Sequence, residues 1–328
     1  MIPILSQVLL RLYALRMIKE AESMRCVNGR HVILKGLIVI CIFLSSASVL
    51  QGQDPDTIPI QGSYLYYGQP IIEDNSMLIE EAFNQDIGSM QHISNLSFKN
   101  GNLIYSYQQE IPLAGVKHQL SFGVSYASLK GGERLPAGEN SFLANGVGDI
   151  YINYRPLLWG KNDWALVIPR FTLIIPTGNA RYGSGSGGWG GQVNMAVTKR
   201  LHPKVITHYN AGYSFINSAD YYTYAGDGTP VAKYEKNLPS KNMGASAIWL
   251  VRPRFNLMLE FTSTFSTIPQ TGRSVDKNNI SIISPGFRFA IQIDKVQIVP
   301  GLGVPFSFRN GLFDGTGGLI YLSIESGN

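Results

Sequence analysis

From Lys117 onward the chain is written in stretches whose apolar side chains fall at every second position, the period of a β-strand with two unlike faces. In Lys117–Ser128 one face carries Leu120, Phe122, Val124 and Tyr126, and the other carries Gln119, Ser121, Gly123 and Ser125. The theme returns with Ile150, Ile152 and Tyr154 against Asp149, Asn153 and Arg155. It recurs with Trp189, Val193, Met195 and Val197 against Gln192, Asn194, Thr198 and Arg200, and with Tyr209 and Tyr213 against His208 and Asn210. Each stretch persists for about ten residues, close to the 9–11 that a tilted membrane strand needs and longer than the usual five or six of a soluble sandwich. The fold class expected is therefore an all-β, transmembrane, up-and-down antiparallel barrel.

The connections carry the same message. Tight turns at Ala114-Gly115, Gly160-Lys161-Asn162, His202-Pro203-Lys204, Arg252-Pro253-Arg254 and Asp294-Lys295 alternate with long polar stretches at Lys130–Gly146, Thr177–Gly188, Asn217–Lys241, Thr267–Asn279 and Phe308–Gly317. An outer-membrane barrel has short periplasmic turns and long external loops, so the alternation predicts about 12 strands, with 10 to 14 open. Asn100-Gly101 breaks the pattern as a short external hairpin turn. On this reading the apolar face meets lipid, and Tyr105, Tyr107, Trp159, Trp164, Trp189, Tyr209 and Trp249 sit near strand ends as an aromatic belt. A soluble sandwich would reverse the two faces; strand length and loop asymmetry favour the barrel.

The first 52 residues read differently. A basic stretch (Arg25, Arg30, His31, Lys35) leads into the apolar run Gly36 to Leu44 and then into small residues, the layout of an export signal peptide. Residues 53–86 read as a linker at the periplasmic side and 87–328 as the barrel. The chain has 27 Lys and Arg against 22 Asp and Glu; residues 1–52 take six of the former and two of the latter. The remainder is thus within one charge of neutrality and offers no footprint for nucleic acid. Both cysteines, Cys26 and Cys41, lie in the leader, which leaves the body without thiol chemistry.

Several motifs resemble a known family. They are Gly146-Val147-Gly148-Asp149-Ile150-Tyr151 through Tyr154-Arg155, Pro169-Arg170 through Pro176-Thr177-Gly178, Gly183-Ser184-Gly185 with Trp189, and Asn210-Ala211-Gly212-Tyr213. Together, over roughly residues 145–325, they resemble the outer-membrane barrel family named for a MetA-pathway of phenol degradation. Upstream, Glu81-Ala82-Phe83-Asn84-Gln85 and Gln109-Glu110-Ile111-Pro112-Leu113 look like the first hairpins of its transporter-like members. The resemblance implies an outer-membrane protein that helps hydrophobic or aromatic compounds across, and it implies no enzyme. One departure is the C-terminus, which lacks the terminal aromatic residue that many barrels present to the barrel-assembly machinery.

For function, the inward charges matter most. Arg155, Arg170, Arg200 and Arg288 are expected to face the lumen with Asp149, Glu110 and Glu260, a modest Arg excess that suggests mild anion preference in an open pore. The alternative is that these groups pair across the lumen and brace the wall. His208, with Asn210 and Ser214, has the residue types of a barrel hydrolase, but ordinary polar lining explains the set better, since a nucleophile with its base and orienter is not recognisable from neighbours on one strand. Gly183-Ser184-Gly185-Ser186-Gly187-Gly188 matches G-x-G-x-x-G but runs into a strand, so it reads as a flexible external loop. Tyr221, Tyr222 and Tyr224, in an external loop, either stack aromatic solutes arriving from outside or form a surface loop with no ligand. The expectation is an outer-membrane channel or uptake protein for small, hydrophobic or aromatic solutes, in contact with lipid and working by passive diffusion. It expects no cofactor, metal or catalysis. The alternative is a structural or surface-interaction barrel with a plugged lumen.

Overall fold

The computed structural model describes residues 72, 76–129, 145–160, 165–224, 230–269 and 275–327. The stretch expected to be an export leader, most of the Lys130–Gly146 stretch and Trp164 lie outside the described residues. The strands are β1 (Met90–Lys99), β2 (Asn102–Pro112), β3 (His118–Ser128), β4 (Asn145–Pro156), β5 (Leu166–Ile175), β6 (Gly190–His202), β7 (Val205–Tyr224) and β8 (Pro230–Arg252). They continue as β9 (Phe255–Pro269), β10 (Val275–Phe289), β11 (Ile291–Ile293), β12 (Val296–Gly303), β13 (Phe306–Arg309), β14 (Leu312–Thr316) and β15 (Gly318–Ser326). β10 runs on into β11, β12 into β13, and β14 into β15, so these segments form the twelve staves of one antiparallel barrel. The barrel closes where β15 returns to β1, in a register from Met90 opposite Ser326 to Phe98 opposite Gly318. Closure satisfies both edges, which lipid cannot do for them.

The two faces fall as the alternation requires. Leu259 and Trp249 on the outside are each 53% exposed, while the inward Arg155 and Arg288 are 1% and 0% exposed. Val193, Tyr209, Tyr213, Phe171 and Leu173 join the exposed apolar exterior, and Gln119, Asn153, Asn194, His208 and Glu260 join the buried interior. In water such an exterior would be a large uncovered apolar surface; in a bilayer it is the solvated face. Trp159, Trp189 and Trp249 are all exposed near strand ends, as a membrane-interface belt requires.

Three stretches expected to be long external loops are, in their described residues, largely extended strand. β7 and β8 run on through the Asn217–Lys241 region as a hairpin, with Ala219 opposite Lys236 and Tyr221 opposite Tyr234. Phe308–Gly317 is a tight hairpin turning at Asn310-Gly311, whose φ values of 50° and 85° match those at Asn100-Gly101. Asn-Gly is the dipeptide that reaches such left-handed geometry most easily, and here it was masked by the polar residues around it. β9 likewise runs to Pro269, inside the third stretch.

Thr177–Gly188 is a folded cap rather than a flexible loop. It contains a short 3-10 turn at Ala180–Tyr182, capped by the Asn179 side chain and ended by Gly183 in left-handed geometry. Gly178 and Gly185 pack backbone to backbone, so closely that a Cβ on either would be driven into the other. These glycines permit close approach, and no phosphate-binding turn is formed.

Candidate functional site: the lumen and the strap across it

Ser76 to Ser89, the end of the stretch expected to be a linker, passes through the barrel interior. This strap has no strand beside it, yet each buried backbone donor must find an acceptor. Inward side chains of the wall supply them. One carboxylate oxygen of Glu260 on β9 accepts the N–H groups of Met77, Leu78 and Ile79 at 3.1, 3.0 and 3.3 Å. Asn210 on β7 accepts from Glu80 N, Thr198 on β6 accepts from Ala82 N, and Gln119 on β3 accepts from Gln85 N. Asn84 donates in turn to the carbonyls of Val116 and Arg155. Apolar contacts add to this: Ile72 and Met77 join Ile206, Ile248, Met258 and Val299, while Ala82 packs on Ile168 and Ala196. Most of the wall partners lie within a few residues of the short turns, so the strap occupies the periplasmic part of the lumen.

The arginines expected to line an open pore meet this strap. Glu80 places one carboxylate oxygen 3.3 Å from Arg155 Nε and the other 3.2 Å from Arg170 Nη1, and that second oxygen also accepts from Asn194 Nδ2 at 2.6 Å. Arg155 additionally donates to the Glu81 carbonyl and lies 3.4 Å from Glu110 on β2. Arg170 donates to Gln192 at 3.0 Å. Arg288 is fully buried and donates to the Ile72 carbonyl. Of the expected lumen set, then, Arg155, Arg170, Glu110, Asn210, Glu260 and Arg288 are gathered around the strap. The sequence reading missed Glu80 itself, because a segment without periodicity gives no sign that it will enter a barrel.

Two expected site residues lie elsewhere, and a third, His208, meets the strap without assembling a catalytic set. Arg200 donates to the Pro203 carbonyl at the β6–β7 turn, at the mouth of the barrel. Asp149 faces inward but is occupied: its two oxygens accept the N–H groups of Gly178 and Ser186 at 3.0 and 2.8 Å, tying the cap over the external mouth. His208 Nδ1 lies 2.7 Å from Thr198 Oγ1, and its ring stands edge-on to Phe83 of the strap. Ser214, six positions along the same strand, is about 20 Å from it at strand rise, so the hydrolase trio is not assembled.

Above the strap a cavity of about 240 Å³ opens beneath the cap, lined among others by Asp149, Tyr151, Ser186, Ile216, Tyr221 and Leu238. Tyr221 is therefore no loop residue: it is 2% exposed, on β7, with its ring 6.2 Å from that of Tyr234. Tyr222 is half-buried on the same strand, and the side chain of Tyr224 lies outside the described residues. No cluster of His, Cys, Asp or Glu suited to a metal occurs among the described residues.

Residues 82–229 match the model of the family described as "Putative MetA-pathway of phenol degradation", a stretch that runs from the second half of the strap through β7. No curated protein sequence matches the chain. Among solved structures, an outer membrane channel from Pseudomonas putida F1 aligns with 12% identity over 75% of this chain and 97% of that one, at a TM-score of 0.49. The NanC porin aligns with 8% identity over 73% and 99%, at 0.43. A mutant of the TodX monoaromatic hydrocarbon channel aligns with 8% identity over 72% and 88%, at 0.32. Closed, apolar outside and polar within, the chain is an outer-membrane β-barrel.

Proposed function

We propose that this barrel is an uptake channel for small, hydrophobic or aromatic solutes, closed from the periplasmic side by its own strap. Residues 1–52 direct export, and the barrel-assembly machinery inserts the product. The observation that carries the reading is how the strap is held. Its backbone is fixed by side-chain hydrogen bonds from β3, β6, β7 and β9, together with a few ion pairs, and by no sheet pairing. Each such bond contributes about 0.5–1.5 kcal/mol, so a modest number of exchanges releases the segment while the wall stays intact. The cavity beneath the cap, with Tyr151 and Tyr221 on its lining, is of a size for one ring and is the place where an entering solute would first rest.

A second reading has the same strap in its favour: a structural barrel whose lumen is permanently plugged. The two part on conductance in planar bilayers. A channel passes current in bursts as the strap leaves, and substituting Glu260→Ala lengthens them. Silence from both proteins at every voltage supports the permanent plug and rejects the channel.

A further inference from the structure

Glu80 has a curious setting. Arg170 on β5 stands directly opposite Asn194 on β6, and Arg155 on β4 follows Tyr154, which is opposite Phe171. Arg155, Arg170 and Asn194 therefore form a row across three adjacent strands, with two guanidinium groups side by side. Like charges in neighbouring cross-strand positions repel, and buried ones need a counter-ion. Glu110 on β2, 3.4 Å from Arg155, supplies one negative charge from the wall. Among the described residues, further negative charge comes from the strap, through Glu80 with Glu81 beside it.

Without the strap the wall would present a fork of donors carrying one positive charge beyond what Glu110 compensates. Arg155 Nε would face one oxygen of a carboxylate, and Arg170 Nη1 with Asn194 Nδ2 would face the other. One pleat period toward the short turns, about 7 Å away, the next inward pair is Ile168 opposite Ala196, which the strap covers with Ala82. The wall thus carries a charged fork with an apolar step beside it, and the strap fills both with a Glu side chain and a methyl group.

We infer that the row Arg155, Arg170 and Asn194, with Ile168 and Ala196, is a binding site for a small hydrophobic carboxylate, and that Glu80 is an internal mimic of that ligand. The ligand's carboxylate replaces that of Glu80 and its apolar body replaces Ala82, so that arrival of the solute and release of the strap are one exchange. The inference rests on the uptake reading for its purpose, since it names the solute class that would open the lumen. Its chemistry is specific: a neutral amide of the same shape lacks the charge that two guanidinium groups require.

Titration calorimetry on the detergent-solubilised full chain, with benzoate and benzamide as probes, tests the exchange. Removing the mimic in Glu80→Ala should tighten benzoate binding at least ten-fold relative to the unaltered protein and leave benzamide unchanged. Adding Arg170→Met should abolish the gain. Heat-modifiable gel migration verifies the closed barrel for each variant, and Glu80→Gln takes the place of any Glu80→Ala protein that fails this check. No gain for benzoate in a closed barrel, or an equal gain for benzamide, overturns the site. Charge-dependent binding in proteins that never conduct would uphold the site and reject the uptake reading alone.

Discussion

Asn210 pairs with Glu80 as a neighbouring strand would: its Oδ1 accepts the Glu80 N–H at 2.8 Å, and its Nδ2 donates to the Glu80 carbonyl at 2.7 Å. An amide side chain carries a donor and an acceptor a peptide's width apart, so it can complete an isolated backbone on both sides at once. The same chemistry serves Gln119, which accepts from Gln85 N, and Asn256, which donates to the Ile72 carbonyl. They are ladder partners for a strand that is not there.

Replacing Asn210 by Leu leaves the Glu80 N–H and C=O without that partner, at roughly 1–3 kcal/mol for each buried group. The barrel closes as before, because Asn210 belongs to no wall hydrogen-bond ladder through its side chain. The strap loosens, and its protection from a protease added on the periplasmic side should fall by one order of magnitude or more.

Glu260 holds three consecutive N–H groups on one oxygen, so Glu260→Ala should loosen the strap more than Asn210→Leu does, since three groups rather than two lose their partner at roughly 1–3 kcal/mol each. Hydrogen exchange at Met77, Leu78 and Ile79 measures the difference. Equal exchange in the two variants would count against the role given to Glu260.

The direction of the two faces is tested by Leu259→Arg. At an exposed position in water such a change is nearly neutral, but on the lipid face near mid-membrane it costs about 2–4 kcal/mol. Urea titration of the protein refolded into lipid vesicles should show that loss, and an unchanged midpoint would contradict a lipid-facing β9.

The cap gives a separate handle. Gly185→Ala drives a methyl group into the Gly178 backbone and breaks the fit that Asp149 fastens. The external mouth should open, with higher conductance in those openings that the strap allows and with no change in strap protection.

Outside the membrane, Lys99 at the end of β1 pairs with Asp314 on β14 at 2.7 Å, with Arg309 at 3.4 Å from the same oxygen. Burial alone would raise the Asp314 carboxyl; the hydrogen bond from Lys99 and the charge of Arg309 prevail and hold it below the ordinary carboxylate value. A depressed acid stabilises the folded state above its unfolded pKa, about 3.9, and that contribution fades as pH falls through the lower folded value. With the intrinsic pH dependence of amide exchange divided out, protection of the Asn100-Gly101 turn should therefore fall on acidification below about pH 4 in the native protein. In Asp314→Asn that protection should be low already and unchanged over the same pH range.

The wall was legible in the sequence because each strand reports its own environment: Leu120 and Gln119 differ in the solvent they face, and adjacent positions record that difference. Tight turns were legible for the same local reason, down to the Asn100-Gly101 hairpin. The Asn217–Lys241 hairpin was not, since beyond the bilayer both faces meet water and the alternation that marks a strand fades. The strap was hidden more deeply. Nothing in Met77 to Gln85 is periodic, and its conformation is decided by side chains 30 to 180 positions away, on strands that must close before they can hold it. For that reason the arginines were read as lining a pore, although two of them grip Glu80.

The central claim, that the strap fills the lumen and leaves it reversibly, is tested most directly by a bridge. Both native cysteines lie in residues 1–52, so once the barrel is prepared without them a pair introduced as Ala82→Cys and Ala196→Cys has no competitor. These two positions share one buried cluster. The account predicts that the pair oxidises to a bridge, that the bridged barrel is silent in planar bilayers, and that adding reductant brings conducting bursts. Failure of the bridge to form, or the same current before and after reduction, would contradict it.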